Sequence, residues 1–156
     1  MSVSSKRALA LAFGNDLLGD DGVGLAAARA LKPEFRDSVD IVETSEAGLA
    51  LLEWLEGRGR VLILDSITTG QRPVGTALEF LPDAFSSTAS PSPHYAGLPD
   101  VLDLGQRLGF ALPSEIRILA MEIDPAHAIR ENLSEPVARA LPAFVNRARS
   151  ILAHWI

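Results

Sequence analysis

Two adjacent carboxylates, Asp20 and Asp21, stand in the glycine-rich stretch FGNDLLGDDGVG at residues 13–24, directly after the apolar run ALALAF. Gly14 and Gly19 have the spacing of a phosphate-binding P-loop, but the aspartates occupy the places where that motif carries Lys and Ser or Thr. Two carboxylates there repel a triphosphate by several kcal/mol at an effective dielectric of about 20. The loop therefore suits a cation. A dinucleotide fingerprint fails too, because Ala12 stands where its first glycine belongs. Two further groups have the character of metal ligands. Asp65 closes the apolar run RVLILDS at 60–66, and His94 lies in the Ser- and Pro-rich stretch 82–99. Two carboxylate oxygens and an imidazole nitrogen suit a divalent transition metal such as nickel or zinc, with coordination positions left open.

Each of these residues also has an ordinary structural reading. Asp20 or Asp21 alone reads as a helix N-cap, Asp65 as a turn former, and His94 as a solvated loop histidine. Only their joint placement distinguishes them. Glu43, Glu46, Glu122, Asp124 and His127 read as solvated or capping groups, although the three glutamates lie near strand ends. The chain has no cysteine, which excludes thiolate ligands and a cysteine nucleophile. It also has no His-Glu-x-x-His and no Gly-x-Ser-x-Gly elbow, and no base for Ser66 is identifiable from sequence. For a hydrolase, metal-assisted attack by water, with a carboxylate as possible base, is the mechanism these residues support.

The elements that must position these groups alternate between strand and helix. RALALAF at 7–13 reads as a strand, followed by a helix in which Val23, Ala26, Ala27, Ala30 and Leu31 recur at helical spacing until Pro33. VDIVET at 39–44 precedes a second helix with Leu49, Leu52 and Leu55 on one face and Gly57 as its stop. RVLILDS suits a strand covered on both faces of a parallel sheet. GTALEFL at 75–81 follows after only about eight residues, too few for a parallel crossover, so it should be antiparallel or lie at an edge. After the loop at 82–99 come a short helix in DVLDLGQRLGF, a last strand EIRILAMEI, and a closing helix capped by Ser134 that Pro142 should kink or divide. This order predicts an α/β fold: a three-layer sandwich around a mostly parallel twisted sheet of about five strands with helices on both faces. In such sheets ligands sit beyond the carboxyl ends of the strands where the strand order reverses, and Asp20, Asp21, Asp65 and His94 all fall at that edge.

The 156 residues, 47% of them hydrophobic, are read as one domain spanning 1–156. A net charge of -6 without a basic block argues against nucleic acid as a partner. The apolar run near the N-terminus ends within about seven residues, short for a signal core, and Asp, Glu or Arg interrupts every apolar stretch before it reaches the length of a membrane span. A soluble, cytoplasmic protein is expected.

FGNDLLGDDGVG together with LILDS, SPHYAGLPDVL and ENLSEPV resembles the hydrogenase maturation proteases, the endopeptidases that trim the large subunit of nickel-iron hydrogenases. The resemblance runs in order over nearly the whole chain. It implies a hydrolase, of aspartyl or metal-dependent type, that removes a C-terminal peptide from the large-subunit precursor once nickel is inserted. By motif the family's metal-binding residues fall on Asp21, Asp65 and His94. The nickel implied is carried by the substrate, with zinc or cadmium able to substitute in vitro. Two places depart from the family pattern: Ala12 replaces a glycine before Gly14-Asn15, and MEIDPAH replaces a glycine-containing turn after the last strand. Two rivals remain open at this point. One is a non-catalytic metal-sensing protein that docks on the precursor; the other is a small hydrolase with its own bound zinc.

Overall fold

The computed structural model describes residues 6–85, 98–125 and 130–156. Five strands form one sheet: β1 (Ala8–Phe13), β2 (Val39–Thr44), β3 (Arg60–Ile67), β4 (Ala77–Phe80) and β5 (Glu115–Glu122), in the order β2-β1-β3-β5-β4. All neighbours run parallel except β4, which pairs antiparallel with β5 at the edge. The short Gly- and Pro-bearing connection before β4 cannot hold a parallel crossover, and the strand turns back as that length requires.

Alternation along the strands builds two cores, one on each face of the sheet. Ala10 and Ala12 of β1, with Leu62 and Leu64 of β3, pack against α1 (Val23–Phe35) and α4 (Glu135–His154). Leu9, Leu11 and Phe13, with Val61, Ile63 and Ile67, pack against α2 (Leu51–Leu55) and α3 (Leu98–Arg107). The ALALAF run thus has a small face and a large face. Its alanines meet Ala27 and Ala28 of α1, all without exposed surface, and this lets α1 lie close on the sheet. The result is the three-layer α/β sandwich expected from the alternating elements.

Three local expectations need correction. Pro33 does not end α1, which runs on to Phe35. Proline forfeits one hydrogen bond in the last turn, and burial of Phe35, 2% exposed, offsets that loss. Pro142 does not divide α4, which is one helix of 20 residues. The proline lies on the exposed side, as does Ala138, whose carbonyl loses its helical donor and can turn to water. In the second helix Leu49 is not on the buried face: Gly48–Ala50 form a 3-10 turn that leaves it 58% exposed, and Leu51 joins Leu52 and Leu55 instead. Among the described residues no helix is long and apolar enough to cross a membrane.

Candidate active site at the strand-order reversal

From β1 the chain moves outward to β2, then returns across β1 to β3. The order reverses between β1 and β3, and the crevice beyond their carboxyl ends is where such sheets hold ligands. Two glycines let the first loop settle into it. A Cβ on Gly24 would stand 2.7 Å from the Leu64 carbonyl oxygen, 2.8 Å from that of Phe13 and 3.0 Å from Asp65 Cα. A Cβ on Gly14 would stand 2.4 Å from the Asp21 carbonyl oxygen. The start of α1 is therefore seated directly on the ends of β1 and β3, and the 3-10 turn Gly19–Gly22 before it carries Asp21 to β3.

Asp65 is 1% exposed and Ser66 6%. Successive strand residues face opposite layers, so Asp65 belongs to the α2/α3 side with Ile63 and Ile67, and Ser66 to the α1/α4 side. Ser66 joins two carboxylates across the strand end. Its backbone N–H donates to Asp65 Oδ1 at 2.7 Å, and its Oγ donates to Asp21 Oδ1 at 3.2 Å. Ser66, weighed in the sequence only as a nucleophile without a base, thus hydrogen-bonds to both Asp21 and Asp65. The strand alternation was the available signal, since it turns residue 66 toward the layer that holds α1. Both side chains carry oxygen donors of the kind that suits a hard or borderline cation.

His94 and His127 lie outside the described residues. Among the described residues no group of three His, Asp or Glu side chains is placed to hold a metal ion; of the three predicted ligands, Asp21 and Asp65 lie within the described residues.

The remaining acids have separate duties. Neither Asp20 nor Asp21 is a helix N-cap, because those positions fall on Leu18 and Gly22. Asp20 instead accepts two 2.7 Å hydrogen bonds, from the N–H and the Oγ of Ser134. Glu43 accepts from Arg29 and Lys32, and Arg29 also grips Asp16. The Arg29 guanidinium, aided by Lys32, holds the Glu43 carboxyl below the usual glutamate range against the opposing effect of its partial burial. Glu46 accepts from the Trp54 indole at 2.9 Å. Asp124 is exposed. Of the two readings of Glu122, solvated or capping, the first does not hold: at 1% exposed it accepts the Thr69 and Gly70 N–H groups and the Thr69 hydroxyl, so it clamps the turn after β3. Its burial follows from its place at the end of β5, where it pairs with Ile67.

The model for HycI, the hydrogenase maturation protease family, matches residues 25–151. The chain is 27% identical over 154 residues to the hydrogenase expression/formation protein HupD of Rhizobium leguminosarum bv. viciae, covering 96% of this chain and 75% of that protein. It is 34% identical over 102 residues to the hydrogenase 2 maturation protease of Escherichia coli K12, covering 62% and 61%. In three dimensions it is similar to the hydrogenase maturating endopeptidase HybD from E. coli, with a TM-score of 0.73 at 25% identity over 96% of this chain and 93% of that one. It is similar also to the [NiFe] hydrogenase maturation protease HybD from Thermococcus kodakarensis, with a TM-score of 0.71 at 25% identity over 94% and 99%. With the family model matched from residue 25 to 151, most of its length, the chain belongs to the hydrogenase maturation proteases.

Proposed function

We propose that this protease removes the C-terminal extension of a nickel-iron hydrogenase large-subunit precursor after nickel insertion, and that Asp21, Asp65 and His94 complete the coordination of the substrate's nickel. The observation that carries this reading is the carboxylate pair linked through Ser66 beyond β1 and β3. Carboxylate oxygen and imidazole nitrogen both suit nickel, and three monodentate ligands leave positions for the groups the precursor supplies. They would hold a free ion weakly, so precursor and protease bind the metal well only together. Nickel held in this way sets the neighbouring peptide bond beside it, where it polarises the carbonyl or activates water. Asp65, buried and held by the Ser66 N–H, fixes one side of that arrangement.

The test is incubation of the purified protein with nickel-loaded and nickel-free precursor, followed by mass measurement of the precursor's C-terminus. The expected result is mass loss from the loaded form alone, abolished by Asp21→Ala, Asp65→Ala or His94→Ala at matched stability. Unchanged trimming by any of the three removes that residue from the site. Binding of loaded precursor with no mass loss would make the chain a docking protein instead.

A further inference from the structure

We propose that Asp20 and Ser134 form a latch that positions Asp21, so that the two neighbouring aspartates divide the work: one fastens the loop and the other faces the substrate. The proposal rests on the reading of Asp21 as a nickel ligand. Ser134 is the residue at the N-cap of α4, with the extended backbone usual there (φ -63, ψ 159), yet its hydroxyl makes no bond to its own helix. A serine in this place ordinarily uses its oxygen as an acceptor for the N–H groups of the first turn. Here the hydroxyl donates instead to Asp20 Oδ2, while the Ser134 N–H donates to Asp20 Oδ1, both at 2.7 Å and across 114 residues of chain. Bonds to an ionised acceptor are stronger than neutral ones, and the carboxylate lies at the positive end of a 20-residue helix.

The latch does not act alone. Gly19 N–H donates to the Arg130 carbonyl at 2.7 Å, and Arg130 N–H donates to the Leu17 carbonyl at 2.8 Å. Residues 17–20 are therefore stitched to the segment that leads into α4. That segment is anchored in turn, because Leu133 packs against the α1/α4 core and Val137 is fully buried. Asp21 follows Asp20 by one rigid peptide. Its side chain has a single 3.2 Å partner among the described residues, the Ser66 hydroxyl. The place of its carboxylate is thus set chiefly by the backbone of 17–22, and that backbone is held by α4. With both oxygens of Asp20 engaged, Asp21 is the member left to accept from Ser66.

The test compares Asp20→Asn, Ser134→Ala, the double variant and Ser134→Thr, with Asp21→Ala alongside. It measures kcat and KM on nickel-loaded precursor, counted per folded molecule, and amide hydrogen exchange of residues 17–22 in the free protein. Each single latch variant should lower kcat about tenfold with KM nearly unchanged, and should speed exchange in 17–22. The double variant should be no worse than Asp20→Asn, and Ser134→Thr, which keeps the hydroxyl, should match wild type. Wild-type kcat and exchange in both single variants would overturn the latch, as would losses that multiply in the double variant. A purely structural contact would lower the melting temperature and leave kcat per folded molecule intact, which also counts against the proposal. If Asp21→Ala is inactive while the latch variants are normal, only the latch falls; if Asp21→Ala cleaves normally, the reading of the site falls with it.

Discussion

Replacing Gly24 by alanine sets two effects against each other, and the structure decides between them. Gly24 is helical, so alanine should stabilise α1 by about 1 kcal/mol through propensity alone. The new methyl, however, would meet the Leu64 and Phe13 carbonyl oxygens at 2.7 and 2.8 Å, with Asp65 Cα at 3.0 Å. All three obstructing atoms are backbone of the central strands and cannot rotate away. Overpacking of this kind costs about 1–3 kcal/mol, and rigid obstacles place it near the upper end. The net expectation is a loss of about 2 kcal/mol, or about 4–8 °C in Tm for a chain of this size. Relief requires α1 to lift by roughly 0.7 Å to bring its nearest contact to the ordinary 3.4 Å. That lift takes Asp21 beyond reach of the Ser66 hydroxyl, now at 3.2 Å. Misplacement on the scale of 1 Å can cost a hundredfold in rate, so cleavage per folded molecule should fall by about ten- to a hundredfold. Urea unfolding and precursor cleavage measure the two effects separately. A Gly24→Ala protein as stable as wild type would refute the tight seat of α1. Lost stability with undiminished cleavage per folded molecule would refute the claim that this seat places Asp21.

Other substitutions separate the roles of nearby groups. Ser66→Ala removes one hydrogen bond to a half-buried carboxylate, so stability should change by about 1 kcal/mol while cleavage falls several-fold; wild-type cleavage would show that the serine bridge is dispensable. Glu122→Val strips the acceptor from two N–H groups and a hydroxyl of the turn after β3, and urea unfolding should show a loss of about 1–3 kcal/mol, with Glu122→Gln intermediate. For Glu43 the sign follows from its lowered pKa, caused first by Arg29. Its stabilisation is present above the ordinary glutamate pKa and is lost as pH falls through the lower folded value. Arg29 is 50% exposed, so Glu43→Gln should cost under about 1 kcal/mol at pH 7 and nothing near pH 2. A difference that persists in acid would assign the effect to packing.

Much of the architecture was legible in the order of residues. A run whose every residue is apolar must be covered on both sides, and ALALAF and VLIL lie in two of the three interior strands, with Leu9–Phe13 and Val61–Leu64 all at 1% exposure or less. The short stretch before β4 excluded a parallel return, and β4 is antiparallel at the edge. Asp20, Asp21 and Asp65 were legible as groups at one sheet edge because they follow the strands that flank the reversal, while the choice of Asp21 over Asp20 came from the family resemblance. The two prolines were misread because proline's local cost is the same everywhere, while what offsets it, the buried Phe35 or the water around the exposed turn at Pro142, belongs to the surroundings.

Periodicity, the succession of strands and helices along the chain and the types of the acid residues were determined by the sequence itself, because hydrophobic alternation and chain length act locally. Which of two adjacent aspartates meets α4 and which meets β3 was decided only by the tertiary structure. The same holds for Glu122, read as solvated or capping and found buried, where it caps the turn after β3. A carboxylate's role depends on the donors that long-range packing delivers to it, and for Asp20 that donor, Ser134, lies 114 residues away.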